Sequence, residues 1–93
     1  MNFKNMTGQF ATSKAGHDKN QIYVIVAEEG DFVYLCDGKL RTVAKPKKKR
    51  LKHIQIIHQT VEQPLLDALR HREKVMDEQI KFAIKQYRLQ NHN

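Results

Sequence analysis

This chain has a single cysteine and no apolar run of membrane-spanning length. With Cys36 alone, neither an intramolecular disulfide nor a cysteine-rich zinc site can form. Its position within a short strand, among large apolar residues, is that of a buried and unreactive thiol. No stretch approaches the about 18 apolar residues that a spanning helix needs, so no membrane partner is expected. The first twenty residues contain no apolar h-region, which makes the cytoplasm the expected location. There is no internal repeat. At 93 residues the chain has room for one modest core and little for an enclosed substrate cavity. His53 and His58 stand five apart, an odd separation that sends strand side chains to opposite faces, and Glu28 and Glu29 diverge for the same reason. No enzyme activity, catalytic residue, metal or cofactor is expected.

What the chain does have is positive charge in one place. Lys and Arg number 17 against 10 Asp and Glu, a formal charge of +7. Eight of those cations lie between Lys39 and His53 with no acid among them, leaving nine cations against ten acids elsewhere. A segment so charged repels itself, and its natural complement is a polyanion.

Short apolar runs separated by turn signals predict a mainly β protein, a five-stranded half-open barrel. The strands are expected at residues 9–13, 21–28, 32–36, 39–44 and 53–57. The second is the strongest, apolar on both alternating faces. Asp37-Gly38 predicts a two-residue type I′ hairpin, whose central positions need positive φ. From Pro64 the period changes to that of helices. Pro64 suits a first helical position and Asp77 an N-cap, and Ile80, Ala83, Ile84 and Tyr87 share one face opposite Lys81, Lys85 and Arg88. The expected division is a barrel over residues 1–59 and a helical extension over 60–93. The extension is expected to cover a sheet edge or to dock a protein partner.

In so thin a barrel, function falls to loops and rim. The loop after the first strand offers Lys14, His17 and Lys19 around Gly16, where backbone can approach a neighbour closely. The hairpin would fix Lys39 and Arg41 on one face of the fourth strand. Pro46 would then keep the cations after it out of a regular ladder, leaving Lys47-Lys48-Lys49-Arg50 as an extended arm, with Lys45 and Lys52 completing the principal phosphate contacts. On that reading, replacing residues 47–50 by Ala leaves folding nearly unchanged and weakens polyanion binding sharply.

Several of these segments together resemble a known family. Ser13-Lys14-Ala15-Gly16-His17-Asp18-Lys19, Ile22-Tyr23-Val24-Ile25-Val26, Asp37-Gly38-Lys39-Leu40-Arg41, Lys45-Pro46-Lys47-Lys48-Lys49 and Lys52-His53-Ile54 follow one another as in KOW-domain RNA-binding proteins. The likeness is greater to small bacterial members related to KOW-barrel proteins of the archaeal and eukaryotic large ribosomal subunit. It covers about 50 of the 93 residues. Asn20 and His17 stand where the family commonly has Gly and Arg. The resemblance implies an SH3-like barrel that associates with the ribosome and binds ribosomal RNA through its first loop and basic rim.

Three other readings compete. Residues 46–52 resemble a nuclear import signal, a short pattern that chance often supplies. The lysine run could meet anionic lipid, but no amphipathic helix or lipidation motif adjoins it. The main alternative is a protein-interaction module of the transcription or translation machinery, such as an elongation-factor partner. Tyr23, Phe32 and Tyr34 would then form a surface pocket.

Overall fold

The computed structural model describes residues 5–14 and 20–91. Five strands, β1 (Gln9–Ser13), β2 (Tyr23–Glu29), β3 (Phe32–Cys36), β4 (Lys47–Arg50) and β5 (Ile54–Thr60), pair antiparallel in the order β4-β3-β2-β1-β5. Helices α1 (Leu65–Arg70) and α2 (Asp77–Gln90) follow. The architecture is therefore mainly β with C-terminal helices, and the sheet is open, with β4 and β5 as its edges.

The apolar alternation of β2 builds two cores rather than one. Tyr23 and Ile25 join Ala11, Val33, Leu35 and Ile54 on one face of the sheet, whereas Val24 joins Phe10 and Cys36 on the other. The first face is concave. Lys49 Nζ on edge strand β4 donates to Ser13 Oγ on β1 at 3.0 Å, three strands away. Across a flat sheet that step is about 14 Å, farther than a lysine side chain reaches, so the sheet must curl. Register shifts between Ile25 and Ala27 and between Gln9 and Phe10 supply bends of the kind that β-bulges produce.

The helices cover the second, outer face. Leu65 and Leu69 of α1, Val75, and Ile80 and Ile84 of α2 are buried with Phe10, Val24 and Cys36, and the rings of Phe10 and Tyr87 lie 4.8 Å apart. The apolar stripe expected of α2 is thus its packing face. The segments on either side of residue 59 share this core.

Several local expectations fail for identifiable reasons. No two-residue hairpin forms at Asp37-Gly38, because the Asp37 carboxylate accepts from the backbone N–H groups of Lys39 (2.8 Å) and Arg41 (2.9 Å) and holds the chain in a wider turn. Residues 39–44 therefore form no strand, and the Val43 N–H donates to Asp77 Oδ1 at 2.8 Å. With its carboxylate so engaged, Asp77 is the first residue of α2 rather than its cap. Met76 is the cap, its N–H donating to Gln79 Oε1. Pro64 likewise caps α1 rather than opening it. The lysine run, in turn, is no free arm. Lys47–Arg50 is strand β4, paired in register from Phe32↔Arg50 to Leu35↔Lys47. An edge strand bonds on one side only, lysine is what natural sheets place there, and Pro46 precedes the ladder without interrupting it.

Candidate nucleic-acid interface

The strand conformation of β4 sorts its four cations by alternation. Lys47 and Lys49 are half-buried, on the concave side of Val33 and Leu35, while Lys48 and Arg50 are exposed on the outer face. Beneath them lie Phe32 and Tyr34, on the same face of β3 as Cys36. Among the described residues, these two half-buried aromatics belong to neither apolar cluster. Lys48 Nζ stands 4.5 Å from the Phe32 ring centre and 5.9 Å from that of Tyr34, and the Arg50 guanidinium carbon stands 5.0 Å from Phe32. These are cation–π distances, and the attraction holds both cations over the rings. The Tyr34 hydroxyl donates to Glu29 Oε1 at 2.6 Å, tethering the ring. That hydrogen bond, with some desolvation and the charge of Glu29, raises the phenol above its ordinary 10.0.

The remaining cations divide between two further places. Lys39, Arg41 and Lys45 are exposed on the β3–β4 connection rather than aligned on a strand. That connection is stiffened by the Asp37 bonds and by a Lys45 N–H donated to Thr42 Oγ1. Lys52 is exposed in a 3₁₀ turn, Leu51–His53, whose last carbonyl accepts from the Lys14 N–H at 3.0 Å. Lys14 and Lys52 therefore share one end of the sheet, beside the Lys49–Ser13 contact. Gly16, His17 and Lys19 lie outside the described residues. Of the eight cations in the basic segment, six face solvent and two are turned into the fold.

Phe32 and Tyr34 were legible in the sequence as candidate surface aromatics, but not as the floor beneath Lys48 and Arg50. That relation depends on β4 pairing with β3, which a reading of 47–50 as an arm removes.

The surface that results combines flat aromatic faces with fixed cations and no enclosed cleft. It can attract phosphates through Lys48 and Arg50, which the rings beneath them hold in place. Among the described residues, no helix is long and apolar enough to cross a membrane. The chain matches no protein-family model and no curated protein.

Proposed function

We propose that this chain is an RNA-binding protein of the SH3-like half-open barrel type, gripping the sugar–phosphate backbone with its β4 edge and basic rim. The observation that carries the proposal is the superposition of Lys48 and Arg50 on Phe32 and Tyr34. The rings fix both cations on a rigid edge strand, so that charge for phosphate contacts is held in place. Lys14 and Lys52 at one end, and Lys39, Arg41 and Lys45 on the connecting loop, extend the contact along a backbone. The curl of the sheet supports the barrel assignment. The succession of KOW-like motifs makes ribosomal RNA the favoured ligand, the ribosome the favoured setting and the cytoplasm the place.

The protein-interaction alternative draws on the same aromatics and is less well supported. Tyr23 is buried on the concave face, and the Phe32 ring is already occupied by the chain's own cations. A pocket for a methylated or peptide side chain would have to displace them.

The test separates the two halves of β4. If about five phosphates are neutralised, affinity for a hairpin RNA with a single-stranded flank falls with salt at a slope of roughly −3.5 to −4.5, a loss of about a hundredfold or more between 50 and 200 mM. Lys48→Ala with Arg50→Ala is expected to weaken binding at least about tenfold and flatten that slope by about 1.5, with melting little changed. Lys47→Ala with Lys49→Ala removes buried aliphatic stems and the Ser13 bond. It is expected to lower the melting temperature while preserving the slope. Unchanged RNA affinity in the Lys48/Arg50 variant refutes the assignment.

A further inference from the structure

A second concentration of positive charge lies away from β4, where α2 meets the turn after β3. The two are in close contact at Gly38. A Cβ added there would fall 2.7 Å from the Asp77 carbonyl oxygen and 2.7 Å from Lys81 Cγ, so only glycine lets the first turn of α2 seat on residues 37–39. This seating opens a groove of about 410 Å³. Lys39 lines it from the turn, and Lys81, Lys85 and Arg88 line it from the helix, above an apolar floor of half-buried Ile22 and buried Ile84, with exposed Leu89 at the rim. Among the described residues the acid on its wall is Asp37, which already accepts the N–H groups of Lys39 and Arg41.

The helix residues stand at i, i+4 and i+7, one stripe on one face. Like charges so spaced repel and weaken a helix. The acids of α2, Asp77 and Glu78, both lie in its first turn, and of the stripe only Lys81 reaches one, Glu78 at 3.5 Å. Favourable interaction with the helix dipole accounts for a cation near the C-terminal end. It accounts neither for Lys39 opposite the stripe nor for an apolar floor between them. Four cations around a groove with apolar surface at its base match a phosphodiester whose sugar rests on that surface.

We infer that this groove is a second RNA-backbone site, so that α2 takes part in binding as well as covering the sheet. The inference rests on the RNA-binding reading above and extends it to the helices. Its test uses the full chain with Lys81→Gln, Lys85→Gln and Arg88→Gln, since glutamine keeps helix propensity and removes charge. The probe is the same flanked hairpin RNA, titrated between 50 and 200 mM salt, with melting followed by circular dichroism. The expected result is wild-type melting, affinity lowered at least about tenfold, and a salt slope shallower by about two. Lys85→Gln alone, an exposed helix position that belongs only to this groove, is expected to reproduce part of the loss and serves if the triple variant melts early. Wild-type affinity and slope in folded variants overturn the second site and leave the β4 interface standing. Failure of the unmodified chain to bind RNA at low salt overturns both. Binding of polyglutamate that the triple variant loses while keeping its RNA affinity overturns the inference in favour of an acidic protein partner.

Discussion

Cys36 shows how strongly a single position is conditioned by its surroundings. The side chain is fully buried, and its thiol donates to the Thr42 carbonyl at 3.3 Å. Burial above all, then the charges of Asp77 and Asp37, push it from 9.0 up to about 12. A value raised in the fold means that the folded chain holds this proton more tightly than the unfolded one. The resulting stabilisation is complete below pH 9 and is lost as pH rises toward 12. Chemical denaturation across that window should therefore show the stability difference between the parent and Cys36→Ala narrowing as pH rises. At neutral pH the native thiol should resist iodoacetamide and react once the chain is unfolded. Glu28 and Glu29 illustrate the same dependence on placement. Oε2 of Glu28 accepts the N–H groups of Met6 and Thr7 at 2.6 and 2.9 Å, pinning the chain that enters β1, while Glu29 reaches the opposite way to Tyr34. Strand alternation predicts that divergence.

Between elements, the decisive joint is the one linking the β3–β4 connection to α2. Asp77→Ala would leave the Val43 N–H without its acceptor, an expected loss of about 1–3 kcal/mol in denaturant titration. Asp77→Asn keeps an acceptor oxygen and should lose less. This joint also marks the boundary of what could be read from residue order. Strands β1 and β3 fall at the expected residues, β2 and β5 differ only at their ends, and the buried stripe of α2 follows from its 3.6-residue period. Each of these is governed by a local pattern. The β3–β4 connection is not, because the partner that claims the Val43 N–H lies 34 residues away. Nor does a string of lysines reveal that it is a strand. Its pairing is set by the free edge of β3, and lysine has little intrinsic preference for the conformation. The candidate interface inherited that difficulty. The cations were identifiable by type, but which of them face outward depended on a ladder that only the tertiary structure supplies.

At the scale of the whole molecule, the sheet has no face that can simply be left in water. Its concave side holds Ile25, Val33 and Leu35, all fully buried, and its outer side depends on five apolar residues from the helical region. Each such side chain contributes about 1.5–3 kcal/mol through burial. A chain ended at residue 59 should therefore fail to fold, losing its cooperative melting transition by circular dichroism and eluting as aggregate in size exclusion. A soluble, cooperatively melting fragment would contradict the shared core. Because the strands precede the helices in the chain, the residues of the sheet are made before those that bury its outer face. At about 5–20 residues per second, the stretch from Val61 to Gln90 takes roughly 2–6 s to add, and until it is complete Phe10, Val24 and Cys36 lack the helical side chains that pack on them.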